Sequence, residues 1–231
     1  VRGFGQVDQT IKEIILKHQL PGISLAISVK GKIVYARAFG YRDIQTLSVL
    51  RPTDVMRTFH CSRPLTSTAI MQLVGKGEIS LSTPVIEFLD IKLANDADPN
   101  LRKITVDDLL DSIGGFDKSQ PFDPIRSPAE VGKAIEAKDR FVTDKQIIEF
   151  MMTQPLASAP GDKRGSSNFG YFLLGKVIEK AGQLPYEEYI KRNVLDPLEI
   201  STMSIGRTVK EHRPKNEVSY TAEVGHSLRC V

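Results

Sequence analysis

The stretch Thr58-Phe59-His60-Cys61-Ser62-Arg63-Pro64-Leu65-Thr66-Ser67-Thr68-Ala69-Ile70-Met71-Gln72-Leu73-Val74 decides how this 231-residue chain is read. Leu65, Ala69, Ile70, Leu73 and Val74 recur at helical spacing, while Ser67, Thr68 and Gln72 fall off that stripe. The pattern predicts a helix with one buried face. Pro64 suits its first turn, where a missing N–H costs nothing.

Working outward, Val7 to Leu20 places Val7, Ile11, Ile14, Ile15 and His18 on one side, with Asp8, Lys12, Glu13 and Lys17 elsewhere, and predicts an amphipathic helix ended by Pro21-Gly22. Ile23 to Val29 and Lys32 to Phe39 are rich in β-branched residues and alternate, with Lys30-Gly31 between them, which predicts a β-hairpin. Downstream, Thr105 and Asp108 fit an N-cap and its third helical position, and Thr143 to Gln146 reads as a second capping box, with Pro155 beyond that helix. Phe169, Phe172, Leu173, Val177 and Ile178 give a further apolar helical face.

Around the central helix the sequence resembles the serine β-lactamase, penicillin-binding protein and family VIII esterase superfamily. There a Ser-x-x-Lys motif opens a buried helix, followed by a segment matched here by Gly77-Glu78-Ile79-Ser80-Leu81-Ser82-Thr83-Pro84-Val85. Leu20-Pro21-Gly22, the hairpin and Gly40-Tyr41-Arg42-Asp43 are similar to the start of the same superfamily. Ile104 to Leu110, then Asp111-Ser112-Ile113-Gly114-Gly115, matches a later segment, with Ser112 at a histidine position. Pro160-Gly161 through Ser166-Ser167-Asn168-Phe169-Gly170-Tyr171 resembles the segment that carries the Tyr-x-Asn motif, and the likeness runs on to Leu198.

The resemblance implies an α+β fold of the β-lactamase/transpeptidase type, in which an antiparallel sheet packs with a helical region. It implies one domain over 1–231: N-terminal helix and hairpin at 7–43, helical region at 55–200, irregular tail at 201–231. Superfamily members continue with further strands that line the site, so the chain is expected to be incomplete at its C-terminus. The sheet edge left uncovered would then be a route to self-association.

The same alignment implies the site. His60 occupies the nucleophile position, Arg63 the lysine position, Ser166 the tyrosine position and Asn168 the asparagine position. Acyl-serine hydrolysis needs a hydroxyl nucleophile, a base that can shed its proton and an oxyanion hole. A buried lysine can be that base, whereas arginine stays protonated. Serine at 166 is a far weaker acid than a tyrosine phenol. His60 reads either as a replacement nucleophile or base, or as a polar side chain filling the site. Cys61 is read as a reactive thiol or a structural one, and Asn168 as a ligand contact or a helix N-cap.

Two functions from different classes follow. One is a scaffold that has lost acyl-serine catalysis and binds a ligand or partner, a small ester, amide or β-lactam-like molecule being the ligand class the superfamily implies. The other is an esterase, β-lactamase or peptidase with an altered site. Composition narrows the rest. A formal charge of +3 spread along the chain does not suggest nucleic acid, and no apolar stretch is long enough to span a membrane. Residues 210–215 read as a solvated loop. His18, His60, His212 and His226 show no ligand spacing, so no metal and no cofactor is expected. Cys61 and Cys230 make no zinc or redox spacing and read as free thiols, with a disulfide as the alternative.

Overall fold

A computed structural model describes residues 3–117, 122–139, 141–207, 210–224 and 227–230. His226 lies outside them. The chain divides into two compact units, one formed by Val1–Thr58 with Gly206–Val231 and the other by Phe59–Ile205.

The first unit opens with helix α1 (Gly5–His18), closed by Gln19 in the left-handed region. Strands β1 (Gly22–Val29), β2 (Lys32–Asp43) and β3 (Ser48–Val49) form an antiparallel sheet in the order β1-β2-β3. The predicted hairpin is present, with Gly22 opposite Gly40 and Val29 opposite Lys32. Lys30 and Gly31 both have positive φ, 49° and 75°, the signature of a type I′ turn whose twist matches the strands. Gly40 sits at φ 82°, and a Cβ there would lie 2.3 Å from the Pro21 carbonyl oxygen. The Gly22–Gly40 pair is thus a place where two backbones approach too closely for side chains, which gives the Leu20-Pro21-Gly22 and Gly40-Tyr41 patterns their physical reason.

Tyr35, 1% exposed, fixes α1 to the sheet. Its hydroxyl donates to Asp8 Oδ1 at 2.6 Å, Arg37 donates to Asp8 Oδ2 at 2.6 Å, and the Phe4 ring lies 5.1 Å away. Of the expected apolar stripe of α1 only Ile11 is buried, and Ile14 stays exposed. The contacts of Asp8 with Tyr35 and Arg37 and the ring contact of Phe4 with Tyr35 do what a wide hydrophobic stripe was expected to do.

Residues 206–224 return to this unit. Val55 bridges Glu217 in parallel, Val218 donates to the Val55 carbonyl, and Ser219 donates through its N–H to Arg42 O and through Oγ to Asp43. Arg57 bonds Glu217 at 3.1 Å, and the Arg57 N–H donates to Tyr220 Oη at 2.6 Å. Within the stretch 201–231, expected to be irregular, strands β4 (Thr221–Val224) and β5 (Ser227–Cys230) pair antiparallel.

The second unit is helical: α2 (Arg63–Gly75), α3 (Val85–Phe88), α4 (Val106–Leu110), α5 (Pro128–Ala134), α6 (Asp144–Met152), α7 (Asn168–Gly182) and α8 (Tyr186–Ile190). Helices α2 and α7 form its centre, burying Ala69, Ile70 and Leu73 of one and Phe169, Leu173, Leu174, Val177 and Ile178 of the other in a common core. Both capping boxes are present: Thr105 and Asp108 open α4, Thr143 and Gln146 open α6. Helix α5 lacked a strong apolar stripe in the sequence; Pro128 at its start and buried Val131 define it. The segment after α2 runs back alongside α4. Val85 N–H donates to Ile104 O, Val106 N–H to Thr83 O and Asp107 N–H to Leu81 O. Gly77, at φ 76°, permits the turn into it.

Thr66 is buried in α2 and shares a hydrogen bond with Tyr186 Oη at 2.7 Å. Tyr189 Oη is buried without a hydrogen-bond partner among the described residues, its ring packed where a Cβ on Gly182 would stand. Burial holds both phenols above their ordinary value near 10; the Thr66 bond opposes this at Tyr186, and the Glu78 charge adds to it at Tyr189. Burial alone would lower Lys176, but its contacts with Asp144 and Glu179 override that and raise it.

Two predictions follow from this framework. Gly40→Ala should destabilise the protein more than Gly31→Ala, which meets no neighbour and should cost about 1–2 kcal/mol for its left-handed backbone alone; urea unfolding of the two variants checks the order. The raised tyrosines and Lys176 stabilise the fold fully below their unfolded values, so that contribution is lost as pH climbs through the higher folded values. Melting temperature should therefore fall on raising pH from about 9 to about 11, and Tyr186→Phe with Tyr189→Phe should shrink that fall.

Candidate functional site

The site is built where the first turn of α2 meets the first turn of α7. Residues Phe59–Ser62 form a 3₁₀ turn ahead of α2, and Phe59 has φ 45°. Ser62 is already helical in φ and ψ and makes no side-chain cap; its Oγ donates to the Phe59 carbonyl at 2.6 Å. His60 lies in that turn, exposed, with no hydrogen bond among the described residues. Cys61 is exposed and free, which corrects the reading of it as a buried structural thiol.

Arg63 is half-buried. One guanidinium nitrogen donates to Ser167 O at 3.3 Å and to Asn168 Oδ1 at 3.2 Å, and the guanidinium carbon lies 4.6 Å from the centre of the Tyr171 ring. A flat cation over an aromatic face, with two neutral acceptors at its edge, holds its position without an opposing carboxylate in direct contact.

Asn168 couples this arrangement to a third element. Its Nδ2 donates to Asp123 Oδ2 at 2.6 Å, while Asp123 Oδ1 accepts from the N–H groups of Ile125 and Arg126. With the oxygen of the amide facing Arg63 and its nitrogen facing Asp123, the orientation of Asn168 follows from its partners. Asn168 is not the N-cap of α7. Ser167 is, its Oγ accepting from Gly170 N–H at 3.1 Å. The reason is spacing: the residue three before Gly170 has the reach, and Asn168 is already the first helical residue.

Ser166 is exposed and makes no hydrogen bond among the described residues. The structure therefore joins Arg63 with Asn168 and leaves His60 and Ser166 outside their hydrogen-bond network. Ser112, at φ 59°, accepts through its carbonyl from Gly165 N–H at 2.7 Å. Beside it lies a cavity of about 10 Å³ lined by Ser112, Gly165, Ser167, Gly170, Leu109 and Phe116, large enough for about one water.

Asp123 and Tyr171 do most of the positioning. Tyr171 also donates to Leu110 O at 3.1 Å and lies 3.5 Å from Ser67 Oγ. Tyr171 belonged to a recognised segment, but nothing in its spacing showed that it would lie under Arg63. Asp123 had only the local signature of an Asx turn. Chemically the arrangement offers fixed positive charge and N–H donors; a guanidinium does not act as a proton acceptor. Among the described residues no group of three His, Cys, Asp or Glu side chains is placed to hold a metal ion, and no helix is long and apolar enough to cross a membrane.

This fold, with a motif-bearing helix lodged against a second helix that carries the Asn168 segment, is the β-lactamase/transpeptidase-like α+β fold. The beta-lactamase family model matches residues 7–225, and the chain belongs to that family. It is 26% identical over 203 residues to Protein flp of Staphylococcus aureus (strain N315), covering 88% of this chain and 38% of that protein. A putative D-alanyl-D-alanine carboxypeptidase of Escherichia coli O157:H7 is 25% identical over 225 residues, covering 93% and 50%. Among solved structures, the octameric penicillin-binding protein homologue from Pyrococcus abyssi superposes with a TM-score of 0.77 at 28% identity, over 99% of this chain and 50% of that one. EstCE1, a hydrolase with promiscuous acyltransferase activity, shares the fold with a TM-score of 0.74 at 19% identity, over 96% and 57%. The chain spans half or less of the length of these two curated relatives.

The Asn168 bridge is testable. Asn168→Ala removes one acceptor from Arg63 and one donor from Asp123, and should cost about 1–3 kcal/mol in urea unfolding.

Proposed function

We propose that this chain is a β-lactamase-family scaffold that has lost acyl-serine catalysis and acts by binding a ligand or a partner. The observation that carries the reading is the state of Arg63. The residue in the lysine position is a permanent cation, stacked on Tyr171 and bonded to Ser167 O and Asn168 Oδ1. A side chain so held neither takes a proton from a nucleophile nor leaves room for another base in its place. The neighbouring positions agree. Among the described residues His60 has no partner that would orient an imidazole for attack, and Ser166 offers no phenol for proton relay. Ligand binding would draw on the fixed charge and on the open face of α2 formed by Ser67, Thr68, Met71 and Gln72, where an ester, amide or β-lactam-like molecule could lie. Self-association also fits, since the Pyrococcus abyssi homologue is described as octameric.

The test is hydrolysis of a chromogenic short-chain ester and of a chromogenic cephalosporin by the folded chain, alongside His60→Ala and Cys61→Ala. Rates should equal buffer for all three proteins. Turnover abolished by either substitution would identify a replacement nucleophile or base and overturn the reading in favour of an altered hydrolase.

A further inference from the structure

Along α2, Arg63, Ser67 and Met71 stand at i, i+4 and i+8, one above another on a single face. They run over about 12 Å, the rise of eight helical residues. The order along that line is chemical: a cation, then a hydroxyl, then an apolar side chain. Thr68 and Gln72 form the neighbouring row, and Ser67, Thr68, Met71 and Gln72 line an open groove of about 440 Å³. Met71 is 49% exposed and Thr68 is exposed. Gln72 directs its amide inward, with Nε2 donating to Asn193 O at 2.9 Å and Oε1 buried. The polar groups facing the groove are therefore the hydroxyls of Ser67 and Thr68.

Tyr171 joins the head of this groove to Arg63. Ser67 Oγ lies 3.5 Å from Tyr171 Oη, and the guanidinium carbon lies 4.6 Å from the centre of the same ring. The two hydrogen bonds that Arg63 makes, to Ser167 O and Asn168 Oδ1, both come from Nη2. Those contacts do not use the hydrogens on Nε and Nη1, three of the five that a guanidinium carries. The acceptors in place are neutral, and Asp123 is linked to the guanidinium through the Asn168 amide. Coulomb energy falls with distance, so an anion in direct contact with Arg63 is attracted by it more than it is repelled by Asp123.

On the reading of this chain as a binding scaffold, we infer that the groove takes a small amphipathic monocarboxylate, its carboxylate on Arg63 and Ser67 and its apolar body along Thr68 to Met71. One fixed cation matches a single negative charge, and a guanidinium holds carboxylate oxygens by short charge-assisted hydrogen bonds. Side chains on a helix lean toward its N-terminus, so Met71 covers the body of such a ligand from the far end. Its unbranched thioether adapts to the shape it meets. With one ionic contact and an open groove, binding is modest, with a Kd on the order of 0.1–1 mM.

Octanoate is the probe and the methyl group of Met71 the reporter, followed by NMR in the chain labelled with carbon-13 at its methionine methyls and assigned with Met71→Leu. Octanoate should move the Met71 signal saturably and leave those of the exposed Met56 and Met203 in place. Octanol and octylammonium at equal concentration should not move it. Arg63→Met, which keeps length and loses charge, should weaken octanoate binding by about tenfold or more. Thr68→Glu, a change at an exposed position that leaves the fold intact, should weaken it similarly by setting a carboxylate beside the ligand, whereas Thr68→Gln should not. A Met71 signal indifferent to octanoate, an equal shift with octylammonium, or an affinity unchanged by both Arg63→Met and Thr68→Glu would each overturn the site. The two readings fail separately. Turnover of ester or cephalosporin overturns the loss of catalysis; absent turnover with no octanoate shift leaves that loss standing and removes the carboxylate site.

Discussion

Arg63 carries a positive charge into the junction between α2 and α7, and the surrounding chain is arranged to hold it there. A half-buried guanidinium needs acceptors in its plane and something polarisable on its face. Ser167 O, Asn168 Oδ1 and the Tyr171 ring meet those needs, and all three come from the N-cap and opening of α7. Asn168 also donates to Asp123, so one amide bridges the guanidinium and a carboxyl group that do not touch directly. The consequence is a guanidinium held from two sides, with acceptors at its edge and an aromatic ring on its face.

The core beneath the site does not depend on that choice. Ala69, Ile70 and Leu73 of α2 share one buried core with Leu173, Leu174 and Val177 of α7, and Thr66 is tied to Tyr186. Framework and reacting positions are therefore separable. The first is set by volume and periodicity, which tolerate changes at the second. A chain can therefore keep the family's fold while the side chains at the α2–α7 junction vary.

That separation also explains what the sequence made legible. The hairpin was readable because Lys30-Gly31 dictates a turn type, and the starts of α4 and α6 because capping boxes are local chemistry that leaves a fixed spacing. The α2–α7 core was readable from apolar period alone. Asp123 under Asn168 and Tyr171 under Arg63 were not, since both contacts join residues distant in sequence and neither residue type marks its partner. The apolar stripe of the N-terminal helix was read too wide because its attachment relies on Asp8, Tyr35 and Phe4, whose contacts periodicity does not register. The Asn168 cap was misplaced by one residue because serine and asparagine are adjacent and cap equally well; only Ser167 has the reach.

The first unit is assembled from both ends of the sequence, Val1–Thr58 and Gly206–Val231, with 147 intervening residues in the second. During synthesis from the ribosome the second unit has its entire sequence available before residues 206–224 emerge. The partners of Val55, Arg57 and Arg42 in that return segment are made after the whole of the second unit. Closing so long a loop is slow compared with forming helices from near neighbours. The helical unit draws its contacts from one continuous stretch of sequence, whereas the first unit must close across that stretch to gain the contacts of residues 206–224.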